Sequence, residues 1–253
     1  MCSIVLLYRP GNRWPVIIAA NRDEMQDRPW RAPGRHWGDR PEVVAGIDLL
    51  AGGSWLGINA QGVVAAALNR VNTLGPAPGF RSRGELVLEA LDHPDAAAAA
   101  LGLADLDPAA YRPFNMLIAD NRDAWWLRNL GPEEGSGVVE VKPLPPGLSM
   151  ITAHDRNDPA SPRIRRFLPR FEAATPPDPE RKDWTEWQAL LASREHGTED
   201  GPGAAMSIAL ESGFGTVSSA LIALPAPKLP PKKPIFLFAA GRPGEAPYEP
   251  VQL

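Results

Sequence analysis

The stretch MCSIVLLYRPGNRWPVIIAANRDE, residues 1–24, decides how this chain begins to fold. Two apolar runs, 3–8 and 16–20, flank a Pro-Gly-Asn sequence, and this pattern predicts two buried strands joined in a hairpin. The polar run NRDE at 21–24 then ends the second strand. Antiparallel partners are equidistant from the turn, so we expect the NRDE run to lie beside residue 2.

Cys2 is the only cysteine among the 253 residues of the chain. Methionine aminopeptidase removes Met1 when the next residue is small, so we expect the mature chain to start at Cys2 with a free amine. An α-amine titrates near pH ~7.7–8.0 and a thiol near ~8.5, so this amine can accept the thiol proton close to neutrality. The pattern favours nucleophilic catalysis by the first residue. The alternative is a small apolar residue that starts a buried strand.

The NRDE run divides between the two faces of its strand. Alternation puts Asn21 and Asp23 on one face and Arg22 and Glu24 on the other. Beside a terminal thiol, the Arg22 guanidinium is expected to lower the thiol pKa, and the Asp23 carboxylate to orient the α-ammonium group. The alternative is a solvated strand end with a surface ion pair, which contributes little stability.

The remaining pattern predicts antiparallel sheets covered by helices, an α+β fold. A second hairpin joins 55–59 to 63–69, and a Trp-, Arg-, Pro- and Gly-rich loop covers about 28–43. Asn69 ends the second hairpin, where its amide is expected to be either an oxyanion donor or a turn residue. Further helices are expected at 85–92, 162–174 and 183–195, and further strands at 114–120, 124–128, 137–142, 148–152, 216–224 and 235–240.

Composition narrows the classes of function. The formal net charge is −4, which argues against a basic field for nucleic acid or anionic lipid. A single cysteine favours a reducing cytoplasm and, with no metal-binding motif in the sequence, predicts neither metal nor cofactor. No run approaches the roughly 18 apolar residues of a membrane-spanning helix. We expect one domain over 1–253 with a small-molecule substrate or an apolar ligand as partner.

Five segments together resemble the NRDE protein family, also called the transport-and-Golgi-organisation family. These segments are NRDE at 21–24, GGSWLGIN at 52–59, SRGELV at 82–87, FNMLIAD at 114–120 and GTVSSALIAL at 215–224. The resemblance runs from residue 2 to about residue 224. That family in turn resembles the N-terminal nucleophile hydrolases, in particular the choloylglycine hydrolase and penicillin V acylase group.

The resemblance implies a four-layer αββα sandwich and cleavage of a carbon–nitrogen amide bond in a small acylated substrate. By that likeness Cys2 is the nucleophile, Arg22 and Asp23 match the arginine and aspartate near the end of the second strand, and Asn69 matches the asparagine of the oxyanion hole. The residues expected to contact substrate are Asn21, Trp55 and His154. The alternative function is a non-catalytic carrier or trafficking protein for haem or a lipid or acyl ligand.

Overall fold

A computed structural model describes residues 2–131, 135, 137–227 and 232–253 of the chain. By its internal contacts the chain divides into two compact units, one of Met1–Arg28 with Pro146–Val251 and one of Pro29–Pro145 with Gln252–Leu253. Over the described residues with stated bounds, each unit contains one antiparallel sheet and two α-helices. The expectation of one domain over 1–253 stays a prediction.

The first unit has a six-stranded sheet in the order β10-β1-β2-β11-β12-β13. Its strands are β1 (Ser3–Tyr8), β2 (Val16–Met25), β10 (Gly147–Ile151), β11 (Phe214–Leu224), β12 (Ile235–Ala239) and β13 (Tyr248–Pro250). Its helices are α3 (Pro162–Ala173) and α4 (Thr185–Leu191), with a 3-10 turn at Pro202–Ala204.

The second unit has a seven-stranded sheet in the simple order β3 to β9. Its strands are β3 (Trp30–Gly34), β4 (Val43–Asp48), β5 (Leu56–Asn59), β6 (Val64–Asn69), β7 (Phe114–Ala119), β8 (Ala124–Asn129) and β9 (Glu140–Pro143). Its helices are α1 (Arg83–Leu91) and α2 (Ala96–Ala104), with a 3-10 turn at Pro108–Ala110. Among the described residues, no helix is long and apolar enough to cross a bilayer.

The hairpin expected at the start of the chain is confirmed, and so is its register. Tyr8 pairs with Val16 and Ser3 pairs with Asn21, so Cys2 comes next to Arg22. The second strand is longer than its apolar run, because β11 pairs with β2 as far as Met25 and holds the NRDE run in the ladder. The polar run therefore belongs to a central strand rather than to a solvated strand end.

One face of the first sheet is covered by α3 and α4, and we call it the helix face. Val5, Leu7, Ile17 and Ala19 alternate along β1 and β2 toward this face. They pack in one cluster with side chains of the two helices, Ile164, Phe167, Phe171, Trp187 and Leu191. The intervening residues of the same strands, including Ile4, Leu6 and Ile18, are also buried and lie on the opposite face.

In the second unit, strand-ending polar side chains bind helix termini. Asn59 ends β5, and its Nδ2 donates to the carbonyl of Leu91, the last residue of α1, at 2.9 Å and to that of His93, just beyond the helix, at 2.8 Å. Asp120 follows β7, and its Oδ2 accepts the Ala96 amide at 2.9 Å, at the start of α2. Because the ends of a helix leave backbone groups without intrahelical partners, these contacts fix each helix to its sheet.

The expectation of a loop over 28–43 is wrong, because β3 lies within this range. Trp30 pairs with Asp48 and Arg31 with Ile47, and the pairing becomes irregular before Gly34. β3 is an edge strand, the position where Pro33 is tolerated. Pairing with β4 holds this segment extended, although its sequence lacks the alternation that marks a strand.

Gly53 shows why the GGSWLGIN segment needs glycine. A Cβ at Gly53 would lie 2.4 Å from the backbone carbon of Gly84, at the start of α1. The two backbones are also joined by the Ser54 amide, which donates to the Gly84 carbonyl at 3.0 Å. Two main chains this close leave no room for a side chain.

We therefore expect Gly53→Ala to lower the free energy of unfolding by about 1–3 kcal/mol, because backbone atoms must move to admit the methyl group. Gly38→Ala is the matched control, since a Cβ there has no atom within 4 Å. Denaturant unfolding of both variants makes the measurement. Equal stability of the two variants would contradict the close approach.

Candidate functional site

Cys2 lies at the edge of the first β-hairpin, one residue before β1. Its side chain is half-buried, and its Sγ donates to the backbone carbonyl of Asp23 at 3.7 Å. The β1–β2 register brings Cys2 next to Arg22, and alternation puts both residues on the face opposite the helix face. The thiol and the guanidinium therefore share one face at the end of a buried strand pair.

Arg22 lowers the pKa of the Cys2 thiol, as expected, but burial outweighs this effect in the chain with Met1 in place. Burial raises the pKa of the Cys2 thiol, and the negative charge of Asp23 raises it further. The Arg22 guanidinium acts in the opposite direction but with a smaller effect. The protonated thiol is consequently favoured in this form of the protein.

Arg22 is a buried charge with an acidic neighbour on its own face. It is only 5% exposed, and its Nη2 lies 3.8 Å from Glu24 Oε2. The same carboxylate oxygen lies 3.7 Å from Nε of Arg28. Glu24 therefore lies between two guanidinium groups and offsets part of their charge near Cys2.

Asp23 faces the helices instead, and both of its carboxylate oxygens accept hydrogen bonds from within the protein. Arg163 Nη1, from α3, donates to Oδ2 at 2.9 Å, and Thr216 Oγ1, from β11, donates to Oδ1 at 2.6 Å. Arg163 Nη2 also donates to the carbonyl of Gly203 at 3.2 Å. The backbone carbonyl of Asp23 accepts the Cys2 thiol. Asp23 thus links the thiol to α3 and β11.

Arg163 and Thr216 were not singled out from the sequence. Thr216 lies in the GTVSSALIAL segment, which offered a signal, although its hydroxyl could not be assigned to Asp23 from the sequence. Arg163 is one of several arginines in PRIRRFLPRF at 162–171, and nothing local distinguishes the buried one from its exposed neighbours. Both contacts span more than a hundred residues of sequence.

Asn21 also faces the helices, and its side chain binds backbone rather than open space. Its Nδ2 donates to the carbonyls of Leu191 and Met206, each at 2.9 Å. Its Oδ1 accepts from Ser219 Oγ at 2.7 Å, and this hydroxyl lies 2.6 Å from the Tyr248 hydroxyl. Burial raises the pKa of Tyr248 to about 12. These contacts give Asn21 a structural role, and its contact with substrate stays a prediction.

His154 lies at the same end of the first sheet as Cys2. It follows β10, which pairs with β1 through Ile4 and Ile151, so residues 152–154 continue past the start of β1. His154 is half-buried, and its amide donates to Thr152 Oγ1 at 3.3 Å. Among the described residues, no three His, Cys, Asp or Glu side chains are grouped so that they could hold a metal ion.

Asn69 and Trp55 belong to the second unit. Asn69 is the last residue of β6, pairs with Phe114 and is half-buried. Trp55 precedes β5 and makes an edge-to-face contact with Trp30, with ring centroids 5.8 Å apart. Its ring also covers Gly46, where a Cβ would lie 2.3 Å from the indole. The first unit thus brings together Cys2, Asn21, Arg22, Asp23 and His154 at one end of its sheet.

The Asp23–Arg163 pair makes a stability prediction, because its side chains are 0% and 4% exposed. We expect Arg163→Met to cost about 3–5 kcal/mol, since it leaves a buried carboxylate without its counter-charge. The double variant Asp23→Asn with Arg163→Met should lose less than this single variant, because no charge stays unpaired. Denaturant unfolding of all three variants gives the coupling.

Arg165→Met is the matched control on the same helix. Arg165 pairs with Asp200 at 2.9 Å, but its side chain is 51% exposed. Its loss should cost less than about 1 kcal/mol. A cost for Arg163→Met no larger than that of the control would contradict a buried, paired carboxylate at Asp23.

Solved structures similar to this chain fix its fold class. The Caenorhabditis elegans N-acylethanolamine-hydrolyzing acid amidase ortholog has a TM-score of 0.59 at 11% sequence identity, covering 87% of this chain and 92% of that one. A cysteine-to-alanine mutant of the conjugated bile acid hydrolase from Clostridium perfringens has the same TM-score at 10% identity, covering 100% and 97%. The likeness confirms the N-terminal nucleophile hydrolase-like αββα fold class predicted from the sequence.

The relatives that match in sequence are named for transport and Golgi organisation rather than for hydrolysis. The chain is 36% identical over 131 residues to the Transport and Golgi organization protein 2 homolog of Bos taurus, and 34% over 129 residues to that of Homo sapiens. Each match covers 47% of this chain and 45% of the relative, so the chain spans about half the length of the curated relatives it matches. The sequence model of the Transport and Golgi organisation 2 family matches residues 1–221, nearly the whole chain. The chain belongs to the Transport and Golgi organisation 2 family.

Proposed function

We propose that the protein is an N-terminal-cysteine amidohydrolase that cleaves the amide bond of a small acylated substrate. The observation that carries this proposal is the position of Cys2. Its thiol is half-buried at the end of a strand pair, bound to the Asp23 carbonyl and on the same face as Arg22. The likeness to two proteins named as an acid amidase and a bile acid hydrolase supports it at the level of the fold.

The proposed reaction begins with removal of Met1, which lies outside the described residues. The amine of Cys2 then takes the proton from Sγ, and the sulfur attacks the carbonyl carbon of the substrate amide. The tetrahedral intermediate collapses as the carbon–nitrogen bond breaks, and the leaving amine takes the proton back. The α-amine of Cys2 then takes a proton from water, the resulting hydroxide attacks the thioester carbonyl, and the carbon–sulfur bond breaks. The acid is released, and the Cys2 thiolate takes the proton back from the amine. This sequence of steps uses protein groups only, with no metal or cofactor.

The neighbouring residues have separate roles in this proposal. Arg22, on the face of the thiol, favours the thiolate by its positive charge. Asp23 positions the β2 carbonyl that contacts the thiol, because its carboxylate is held by Arg163 and Thr216. We propose Asn69 as the amide donor to the oxyanion because of its match to the oxyanion-hole asparagine of the hydrolases that the family resembles.

Two further residues complete the proposed site. His154 lies at the same end of the first sheet as Cys2 and contacts the substrate or supports the oxyanion. Trp55 supplies an apolar wall for the acyl part of the substrate. A lone cysteine, which suits a reducing compartment, makes the cytoplasm the proposed location.

The second candidate is a non-catalytic carrier of haem or of a lipid or acyl ligand. One observation favours it, namely that burial raises the thiol pKa and so leaves little thiolate near neutral pH. The names of the relatives, which refer to transport and Golgi organisation, agree with this alternative. The two functions differ in what they require of Cys2.

The raised pKa makes a prediction about alkylation. In the folded protein that retains Met1, we expect the iodoacetamide reaction of Cys2 to rise at a higher pH than in the urea-unfolded chain, because only the thiolate reacts. Arg22→Ala should move the midpoint higher still, since Arg22 favours the thiolate. The exposed Arg165→Ala is the control and should leave it unchanged.

The same measurement on protein that starts at Cys2 tests the activated nucleophile. The ammonium group on the same residue should bring the midpoint down relative to the form with Met1. If the midpoint pH of alkylation in the folded Met1 form is at or below that of the unfolded chain, burial does not control the pKa of the thiol.

Turnover separates the enzyme from the carrier. We expect Cys2→Ala to abolish cleavage of N-acyl amino acids, penicillin V or bile-salt conjugates, because it removes the attacking atom, while stability and ligand binding stay close to wild type. Asn69→Ala should lower the rate by about 10²–10³-fold through loss of an oxyanion donor. The assay uses protein whose N-terminus at Cys2 has been verified by intact mass.

Gln61→Ala is the control for Asn69→Ala, because Gln61 has the same amide group, is exposed and lies between β5 and β6 in the same unit. Haem and long-chain acyl ligands are titrated in parallel. If wild type cleaves no amide while Cys2→Ala retains tight ligand binding, the carrier replaces the hydrolase.

A further inference from the structure

The connection between β6 and α1 exposes apolar side chains. We call residues 70–81 the apolar loop. Within it Val71, Leu74 and Phe80 are 43%, 44% and 44% exposed. They make up three of the nine exposed large apolar side chains among the described residues. No other stretch of ten described residues has as many exposed large apolar side chains, and this marks the connection as a candidate contact surface.

The apolar loop is held in place by arginine side chains from outside its exposed portion. Arg112 donates to the carbonyls of Asn72 at 3.1 Å, Leu74 at 2.8 Å and Gly75 at 3.0 Å. Arg83 Nη1 donates to Thr73 Oγ1 at 3.0 Å, and Thr73 is buried. Because the backbone is already ordered by these bonds, the exposed side chains can bind a partner at a low cost in conformational entropy.

The charge around the apolar loop is positive although the whole chain is negative. The sequence contains no acidic residue between Asp48 and Glu85, whereas the same stretch contains Arg70, Arg81 and Arg83. Glu85 itself pairs with Arg81 at 2.6 Å. The net charge of −4, which argued against anionic lipid, is an average that conceals this local excess.

We propose that the apolar loop docks on the surface of an anionic lipid bilayer. Val71, Leu74 and Phe80 enter the boundary between headgroups and acyl chains, and the positive charge of the neighbouring arginines attracts the anionic headgroups. Insertion of a few apolar side chains together with basic charge is sufficient for reversible membrane binding. A few exposed side chains beside positive charge suit a bilayer, whereas a specific protein interface needs about 800 Å² from each side.

The position of the apolar loop in the chain adds a consequence. It begins directly after Asn69, the proposed oxyanion donor at the end of β6. Docking would therefore hold the end of this strand near the lipid surface. The inference does not depend on amide cleavage, since it rests on exposure, charge and loop order alone.

Flotation with unilamellar vesicles tests the proposal on the full chain. We expect wild type to float with phosphatidylcholine vesicles that contain about 30% phosphatidylserine, and to float much less with phosphatidylcholine alone. Leu74→Ser with Phe80→Ser should reduce binding about tenfold, because the inserted side chains are lost. Raising the salt from about 0.05 M to 0.5 M should weaken binding by screening the arginines.

Leu50→Ser with Leu101→Ser is the matched control. These leucines are 67% and 64% exposed but lie outside the apolar loop, so this variant should bind as wild type does. Absence of wild-type binding to anionic vesicles, or equal loss in both double variants, would overturn the proposal. Light scattering on the same proteins tests whether a second copy of the chain binds the apolar loop instead. A dimer that the loop variant abolishes, without vesicle binding, would assign the apolar loop to a second copy of the chain.

Discussion

The buried ion pair between Asp23 and Arg163 is the contact on which the first unit depends. It joins the central strand β2 to α3, and Thr216 joins the same carboxylate to β11. Removing a charge from water is costly, so such a pair is tolerated only when the carboxylate finds partners on both oxygens. That condition is met here, and it also fixes the backbone carbonyl that accepts the Cys2 thiol. The chemistry proposed for Cys2 and the packing of α3 therefore share one residue.

The NRDE segment serves both faces of one strand. Asn21 and Asp23 bind the helices, whereas Arg22 lies on the face of the thiol. The GGSWLGIN segment has comparable structural roles in the second unit. Gly53 admits the start of α1, Trp55 covers Gly46, and Asn59 binds the end of α1. Several residues that identify the family thus have a role in folding itself.

Features that depend on neighbouring residues could be predicted from the sequence, whereas contacts between residues far apart in the chain could not. The first hairpin, its register and the faces of the NRDE run were predicted correctly, because turn residues and alternation are local signals. The partners of Asp23 were not predictable, since Arg163 is 140 residues away and Thr216 is 193. β3 was missed because pairing with β4, rather than its own sequence, makes it extended. The effect of Arg22 on the thiol pKa was predicted in the right direction, but the burial that outweighs it in the chain with Met1 could not be judged from the sequence.

The alternation of charge along β2 also bears on how the chain reaches its native pairing. A slip of one residue between β1 and β2 would exchange the faces of the strand, because side chains alternate with a period of two. Arg22 would then point beneath α3, toward the guanidinium of Arg163, and the carboxylate of Asp23 would point toward the side of the thiol. Like charges confined in an apolar interior are strongly unfavourable, so the misregistered hairpin could not accept α3. The order Arg-Asp therefore disfavours a hairpin whose register is shifted by one residue, because α3 could not pack on its face.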